Sequence, residues 1–240
     1  MEKQEFVNKL YEKALKIDIK ISEKELEKFY QYMKLLIEWN EKMNLTAIIE
    51  PNDVILKHFI DSITINKYID EQSKVMDIGT GAGFPGIPLK ILNEDVKMTL
   101  VDSLNKRVQF LKEVGKQLEL TNIEYIHSRA EELAGSSLHR QQYDIVTSRA
   151  VARLTTLLEY MLPFVKIGGR CICMKGPNII EELEEARKAI QLLGGEIETT
   201  ENMLLPDSNQ ERNIIIIKKV VDTPAKYPRK AGIPSKQPIL

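Results

Sequence analysis

The segment VMDIGTGAGFPGIP, residues 75–88, constrains the fold of this chain more than any other feature. A short apolar run ends at Ile78 and is followed by glycines at alternate positions, which tolerate positive φ and carry no Cβ atom. Two prolines then suit the first turn of a helix. The pattern predicts a buried strand, a turn whose backbone a ligand can approach closely, and the start of a helix.

Two classes of cofactor-binding protein use such a turn. Residues 81–86 satisfy G-x-G-x-x-G, the fingerprint of dinucleotide-binding proteins, so an NAD-dependent oxidoreductase is one hypothesis. Asp77 favours the other, because a carboxylate before the glycines would repel a pyrophosphate but attract the ammonium of S-adenosyl-L-methionine. Asp77 and Gly81 are therefore predicted cofactor-binding residues in the turn of a class I methyltransferase.

Strand-like segments at residues 74–78, 98–101, 123–127, 143–147 and 170–174 alternate with helix-like segments, and a final pair of strands is expected at 196–200 and 214–218. The alternation predicts a mostly parallel sheet with helices on both faces. The fold expected is α/β, a class I (Rossmann-like) S-adenosylmethionine-dependent methyltransferase sheet with an N-terminal helical extension. Residues 1–70 are assigned to that extension and residues 71–240 to the methyltransferase domain. Apolar residues from Leu26 to Ile37 follow helical spacing, and Ser22 with Glu25 forms a predicted capping box.

Composition narrows the class of protein further. The chain has no apolar stretch long enough to cross a bilayer and no apolar segment near Met1, so a cytoplasmic protein without membrane contact is expected. Its two cysteines, Cys171 and Cys173, lie two apart in an apolar run, which indicates reduced core residues on one face of a strand. No metal site is predicted.

Charge is distributed unevenly along the chain. The formal net charge is −1, yet residues 218–240, the C-terminal tail, hold six Lys or Arg residues and one Asp. A Pro-interrupted basic tail is commonly solvated and without a specific partner. A nucleic-acid substrate would instead make the tail a surface for phosphate contacts.

The predicted strand ends carry the polar residues expected around a cofactor. Asp102 follows the second strand at the distance expected of a ribose-binding acid. Glu131 follows the third strand, where it can frame an adenine or simply complement a helix dipole. Arg149 is predicted beside the methionine end of the cofactor and the reaction centre, and Lys175 closes the same rim.

Absent motifs also bear on the reaction. No Asp-Pro-Pro-Tyr or Asn-Pro-Pro-Tyr follows the fourth strand, and no Pro-Cys nucleophile occurs, which disfavours methylation of exocyclic amines and of cytosine C5. Guanine N7 has a lone pair and no proton to remove, so alignment and exclusion of water would suffice. No catalytic general base is therefore predicted, and His58 either lines the entrance or packs there.

Several blocks together resemble the RsmG (GidB) family of bacterial small-subunit ribosomal RNA methyltransferases. Beside the glycine turn, the blocks that carry this resemblance are residues 39–46 (WNEKMNLT), 57–62 (KHFIDS), 101–107 (VDSLNKR), 129–131 (RAE), 148–150 (SRA) and 227–238. They extend over most of the chain.

The resemblance implies transfer of a methyl group from S-adenosyl-L-methionine to N7 of a guanine in 16S ribosomal RNA, near the decoding centre. It implies a cofactor pocket lined by Gly79, Phe84, Asp102, Ser103, Ala130, Glu131 and Arg149. Phe84 can equally anchor the following helix. Candidate RNA-contacting residues are Asn44, His58, Lys175, Arg229 and Lys230. The expected partner is 16S rRNA or an assembling small subunit, bound by a monomer.

A third hypothesis is a non-enzymatic RNA-binding module in which the cofactor pocket only stabilises the fold. Its phosphate-contacting surface would lie in the C-terminal tail, on Lys218, Lys219, Lys226, Arg229 and Lys230. The three hypotheses separate on cofactor binding and on methyl transfer to RNA.

Overall fold

A computed structural model describes residues 1–149 and 151–240 of the chain. Ala150, the last residue of the 148–150 block, lies outside the described residues. No helix in the described part is both long and apolar enough to cross a membrane.

The chain begins with two helices, α1 (Lys3–Leu15) and α2 (Glu23–Met43). The predicted capping box opens α2: the backbone N–H of Glu25 donates to Ser22 Oγ at 3.4 Å, and the Glu25 carboxylate accepts from the Ser22 N–H at 2.6 Å. The helix buries Leu26 and Phe29 and ends at Asn44, whose φ of 49° breaks the helical path.

A composite helix, residues 51–63, connects the N-terminal helices to the sheet and has a π-helical centre. It consists of an α-helical turn Pro51–Asp53, a π-helical segment Val54–Ile60 and a second α-helical turn Asp61–Ile63. A 3₁₀ turn at Asn66–Tyr68 follows it. Wide helical turns of this kind occur often at functional sites because they redirect side chains.

Seven strands form one sheet. They are β1 (Lys74–Ile78), β2 (Lys97–Asp102), β3 (Ile123–His127), β4 (Tyr143–Arg149), β5 (Val165–Lys175), β6 (Gly195–Leu204) and β7 (Glu211–Lys219). Their order is β3-β2-β1-β4-β5-β7-β6. The first five strands are parallel, while β7 runs antiparallel to β5 and β6. The carboxyl ends of β1 and β4 lie side by side near the point where the chain order reverses, which is the usual ligand crevice of such sheets.

Helices cover both faces of the sheet, as the alternation predicted. They are Gly86–Leu92, Asn105–Gln117, Ala130–Leu133, Leu154–Met161, Ile180–Leu192 and Ile233–Lys236, with a 3₁₀ turn at Leu162–Phe164. One buried cluster joins α1, α2 and the composite helix to one sheet face, and a second cluster fills the opposite face. The α/β fold predicted from the sequence is confirmed, whereas the division at residues 70 and 71 stays a prediction.

Cys171 and Cys173 lie on β5, inside the second cluster. Both thiols are free and fully buried, their Sγ atoms are 3.8 Å apart, and each lies within 3.9 Å of the Met161 sulfur. Because alternate residues of a strand face the same way, this shared position follows from their spacing. Burial raises the pKa of the Cys171 thiol well above its ordinary value.

The C-terminal tail is fastened to the body of the protein. The buried Lys219 ammonium donates to the carbonyl oxygens of Leu162 at 3.1 Å and Leu193 at 2.8 Å, and also bonds the Thr223 hydroxyl. Burial lowers the Lys219 pKa to about 8. Arg140 donates to the carbonyl oxygens of Thr223 and Tyr227, each at 2.9 Å. The tail is therefore packed structure rather than a solvated extension.

Candidate active site

The turn after β1 presents its backbone to open space. Gly79 and Gly81 have φ of +66° and +62°, a region that favours glycine, so the sequence here follows from the turn geometry. A Cβ atom added to Gly79 would lie 2.6 Å from Val151 Cγ2. One added to Gly81 would meet only the Gly79 carbonyl oxygen, at 4.0 Å. The Gly81 face is thus free to receive a ligand.

Asp77 lies beneath this turn and is fully buried. Its Oδ2 accepts hydrogen bonds from the Thr80 hydroxyl at 2.7 Å and from the Gly86 N–H at 2.9 Å, which ties the turn to the helix start. Among the residues that the structure describes, Oδ1 has no partner. Burial outweighs these hydrogen bonds and raises the Asp77 pKa from 3.8 to about 6. Asp77 therefore stabilises the turn through hydrogen bonds on its buried side. Its contact with a ligand ammonium stays a prediction.

Asp102, at the end of β2, holds the turn from the other side. Its Oδ2 accepts from the Gly81 N–H at 2.9 Å, and its Oδ1 accepts from the Leu104 N–H at 2.9 Å. Arg107 lies 3.4 Å from the same carboxylate. Ser103, the next residue, is exposed at the rim. These contacts place Asp102 beside Gly81, and Ser103 lines the same cavity, while the binding of ribose hydroxyls by either residue stays a prediction.

Three adjoining cavities follow the carboxyl edge of the sheet. The turn cavity, of about 380 Å³, is lined by Leu45, Thr46, His58, Gly79, Thr80, Gly81, Ala82, Phe84, Asp102, Ser103, Arg107, Arg149 and Val151. The tail cavity, of about 270 Å³, shares Gly79, Asp102 and Ser103 with it and extends to the C-terminal tail. The arginine cavity, of about 430 Å³, shares His58 and Arg149 with the turn cavity. An extended ligand can therefore lie along this edge with one part in each of two or three adjoining cavities.

Phe84 forms one wall of the turn cavity and also packs in the core. Its ring stacks on His58 with centroids 4.2 Å apart and planes 8° apart, and on Tyr32 at 5.4 Å. The Tyr32 hydroxyl donates to the Ala82 carbonyl oxygen. The Arg149 guanidinium lies over the Phe84 ring, 5.2 Å from its centroid. Phe84 therefore lines the turn cavity and packs against side chains of α2 and the composite helix, while its contact with a cofactor stays a prediction.

The tail cavity contains the predicted residues of the third strand end. Ala130 and Glu131 line it together with Tyr160 and Ser235. Glu131 lies in the first turn of the helix Ala130–Leu133, and its carboxylate accepts a hydrogen bond from the Gly232 N–H at 3.0 Å. The carboxylate therefore connects a cavity wall to the C-terminal tail, in addition to its place at a helix start.

The arginine cavity is lined by Ile48, Lys57, His58, Asp61, Arg149, Met174, Lys175, Gly176, Glu182 and Arg212. Arg149 is largely buried between this cavity and the turn cavity, where it donates to the Lys57 carbonyl oxygen at 2.9 Å and to Asp61 at 3.2 Å. Burial is the main cause of a lowered Arg149 pKa. Lys175 donates to the Ala152 carbonyl oxygen at 2.8 Å and pairs with Glu182 at 2.7 Å.

His58 separates the two cavities as a neutral ring. A guanidinium can only donate, so the Arg149 N–H groups donate to His58 Nδ1 at 3.2 Å and the ring proton belongs on Nε2, 3.0 Å from Thr46 Oγ1. Burial, reinforced by the Arg149 charge, lowers the His58 pKa to about 3. With Nδ1 already bonded and its basicity low, His58 is poorly suited to act as a general base.

The remaining candidate RNA-contacting residues lie apart from one another. Asn44 is exposed at the end of α2, and Lys230 is exposed on the tail. Arg229 is bound instead to the fully buried Glu159, through contacts of 2.6 to 3.2 Å that include its backbone N–H. The phosphate contact predicted for Lys219 is wrong, because that side chain is 0% exposed and holds the tail to the body.

Asp61 and Arg212 are the main site residues that sequence reasoning did not single out. Asp61 stood within the 57–62 block without a role of its own, and Arg212 precedes an apolar strand with no motif around it. Arg212 Nε donates to Asp61 Oδ2 at 2.9 Å across 151 sequence positions. No local spacing could have paired them, since β7 reaches the cavity only through its antiparallel insertion between β5 and β6.

Comparison of the sequence with known proteins identifies one family that this chain matches. The family described as "GidB: rRNA small subunit methyltransferase G" matches residues 25–215. A protein of Alkaliphilus oremlandii named ribosomal RNA small subunit methyltransferase G is 50% identical over 96% of this chain and 97% of its own length. Proteins of the same name are 53% identical in Desulforamulus reducens, over 96% and 97% of the two chains, and 48% identical in Oceanobacillus iheyensis, over the full length of both.

Solved structures resemble the fold at much lower identity. TrmN from Thermus thermophilus superposes with a TM-score of 0.52 at 14% identity, covering 69% of this chain and 53% of that one. The ribosomal protein L11 methylase from Lactobacillus delbrueckii subsp. bulgaricus gives a TM-score of 0.52 at 15% identity, covering 68% and 77%. At these identities the likeness shows the sheet architecture alone.

Proposed function

The chain belongs to the rRNA small subunit methyltransferase G family, and from this premise we propose that it transfers a methyl group from S-adenosyl-L-methionine to N7 of a guanine in 16S ribosomal RNA. The observation that carries the proposal is the juxtaposition of two cavities across His58 and Arg149, one of them at an open glycine turn. Family membership disfavours both the NAD-dependent oxidoreductase and the non-enzymatic RNA-binding module.

The residues of the turn and tail cavities fit the proposed cofactor. The space beside Gly81 would be filled by any Cβ atom, and the backbone there can come close to a ligand. Gly79, Asp102 and Ser103 belong to both cavities, so an extended molecule can pass from one to the other. We assign the methionine end to the turn cavity and the adenosine end, beside Ala130 and Glu131, to the tail cavity. When bound, the cofactor supplies an electrophilic methyl group on a sulfonium.

The side chains around the boundary between the turn and arginine cavities would orient the acceptor without removing a proton from it. Guanine N7 carries a lone pair, so transfer needs alignment of the nitrogen with the methyl carbon and exclusion of water. Arg149 and Phe84 form a packed boundary that could provide this alignment. The low pKa of His58, about 3, agrees with a reaction that needs no base.

We further propose that the substrate is 16S rRNA, either free or within an assembling small subunit, and that the enzyme acts on it as a monomer. Such a substrate would place the enzyme in the cytoplasm, without a membrane partner. The exposed Lys230 and Asn44 remain candidate RNA contacts, together with His58 and Lys175 at the arginine cavity.

The test is methyl transfer from labelled S-adenosyl-L-methionine to small-subunit rRNA and to small-subunit particles from cells that lack the enzyme. Mass spectrometry of the digested RNA should identify 7-methylguanosine at one position. Comparison of the free RNA with the particle would identify the substrate form. Label in another base, or no label in RNA while the cofactor binds, would contradict the proposal.

A further inference from the structure

The arginine cavity has the size and walls of a pocket for a planar base. Its volume of about 430 Å³ falls within the usual range for small-molecule sites, roughly 300 to 1,000 Å³. Ile48 and Met174 provide apolar surface, and charged groups converge from five elements: the composite helix, β4, β5, the helix Ile180–Leu192 and β7. Because His58 and Arg149 are shared with the turn cavity, a base held here would lie next to the reacting methyl group.

Asp61 supplies an acceptor that the protein itself does not satisfy. The residue is 3% exposed and lines the arginine cavity. Its Oδ2 accepts from Arg149 Nη1 at 3.2 Å and from Arg212 Nε at 2.9 Å, whereas Oδ1 has no hydrogen-bond partner among the described residues. A buried carboxylate oxygen without a donor is costly, so its retention at a cavity wall points to a donor supplied by a ligand.

We propose that Asp61 reads the Watson–Crick edge of the acceptor guanine, with Oδ1 accepting hydrogen bonds from N1–H and from the N2 amine. This inference rests on the proposed function. If N7 faces the turn cavity, N1 and N2 lie at the far end of the base and point into the arginine cavity. Guanine offers two adjacent donors on that edge, which suits a carboxylate already paired with two guanidinium groups.

The same arrangement would exclude adenine. Adenine presents the lone pair of N1 where guanine presents N1–H, so the Asp61 oxygen would face another acceptor and stay unpaired. Sites that hydrogen-bond a substrate group reject analogues without it strongly, because a buried polar atom is then left without a partner. Asp61 is thus a specificity-determining residue for the base, and Arg149 and Arg212 hold it in position.

The experiment changes the two partners of the proposed contact separately: the N2 amine of the base and the Asp61 carboxylate. The RNA carries either guanosine or inosine, which lacks the N2 amine, at the position that the wild-type enzyme methylates. The enzymes are wild type, Asp61→Asn and the control Asp53→Asn, which makes the same charge change on the same composite helix at a residue 44% exposed and paired with Lys57. Methyl-transfer kcat/KM is measured for all six pairs.

Inosine keeps N1–H and loses only the N2 donor, so we expect it to lower the wild-type kcat/KM about tenfold, toward the lower end of the discrimination given by a bidentate base contact. Asp61→Asn should be slower on guanosine and should treat the two bases nearly alike, while Asp53→Asn should discriminate as the wild type does. A purely structural role for Asp61 would lower both rates and leave the ratio unchanged, which would overturn the inference. Cofactor affinity measured by calorimetry shows whether Asp61→Asn is folded.

The wild-type comparison alone can still overturn the inference if Asp61→Asn does not fold. Equal rates on guanosine and inosine would overturn the role of Asp61 and leave the proposed function standing. No transfer by the wild type to any small-subunit rRNA or particle would overturn both.

Discussion

The glycine turn and the C-terminal tail both suggested ligand contact in the sequence, and the structure uses them differently. The turn is held by hydrogen bonds to Asp77 on its buried side and to Asp102 at the end of β2, and the space beside the Gly81 Cα stays open. The tail directs charge inward, with Arg229 on Glu159 and Lys219 on carbonyl oxygens. The glycines of a turn that needs positive φ indicate its backbone conformation from the local sequence alone. The number of lysines and arginines in a segment does not indicate whether their side chains point to solvent or to buried partners.

The largest effect that tests this comparison concerns the tail. Arg229→Met leaves the buried Glu159 carboxylate without its guanidinium, so the free energy of unfolding should fall by about 3 to 5 kcal/mol, as when one partner of a buried pair is removed. Lys230→Met, at the exposed neighbouring position, should change it by less than about 0.5 kcal/mol. Urea denaturation measures both. Equal stabilities would mean that Arg229 does not hold the tail.

The second prediction concerns the pH dependence of the turn. Because the Asp77 pKa rises from 3.8 to about 6 on folding, the folded chain keeps a proton between these values that the unfolded chain has lost. The contribution of this group to the free energy of unfolding therefore falls as the pH rises through that window, by roughly 3 kcal/mol at most.

The measurement compares urea denaturation of the wild type and Asp77→Asn from pH 4 to pH 7. The difference in stability between the two proteins should shift in favour of the variant as the pH rises and then level off. The groups common to both proteins cancel in that difference. A difference that is constant with pH would show that the Asp77 carboxyl titrates normally in the folded chain.

The third prediction isolates the ligand face of the turn. Gly81→Ala should weaken S-adenosyl-L-methionine binding roughly tenfold to a hundredfold, because the new methyl group occupies the open space beside the backbone. Gly168→Ala is the matched control: its φ is +84°, and an added Cβ there meets nothing within 4 Å. Both should lose about 1 kcal/mol of stability from positive φ.

Calorimetric titration of the two glycine variants distinguishes the alternatives. Unchanged affinity in Gly81→Ala would remove the turn cavity as the cofactor site. An equal loss of affinity in Gly168→Ala would attribute the effect to backbone strain and not to the cavity.

The smallest expected effect concerns Lys230, an exposed lysine of the C-terminal tail, and the salt dependence of RNA binding. Lys230→Ala should lower the slope of log affinity for rRNA against log salt by about 0.7 to 0.9, the contribution of one phosphate contact. Binding is measured between low and moderate salt with the unmodified RNA. An unchanged slope would mean that Lys230 is solvated in the complex and makes no phosphate contact.

The sheet and the turn could be predicted because their signals are local. Strand and helix periodicity located all seven strands, and β1 and β3 have the predicted bounds. The strand β6 extends to Leu204, beyond the predicted Thr200, because it pairs along the length of β7. The roles of Asp102 and Arg149 were placed at strand ends, and the structure brings both to the turn cavity.

The arginine cavity could not be predicted, because its chemistry depends on three distant segments. Asp61 comes from the end of the composite helix, Arg149 from β4 and Arg212 from β7. A π-helical turn has no simple sequence period, and an ion pair across 151 positions leaves no spacing to recognise. The inward charges of the tail were missed for the same reason, since Glu159 and Arg229 are 70 positions apart.

The paired thiols of Cys171 and Cys173 provide a probe that the chain already carries. They are the only cysteines in the sequence, and both are 0% exposed inside the second buried cluster, under the helices that cover that face of the sheet. A thiol-reactive dye can therefore label only those molecules in which the helices over this face, or β5 itself, have moved away. The labelling rate would report how often this region opens. It can be measured in the wild type and in every variant above without an added tag. If bound cofactor slows that rate, the face that covers β5 and the glycine turn after β1 open as one unit.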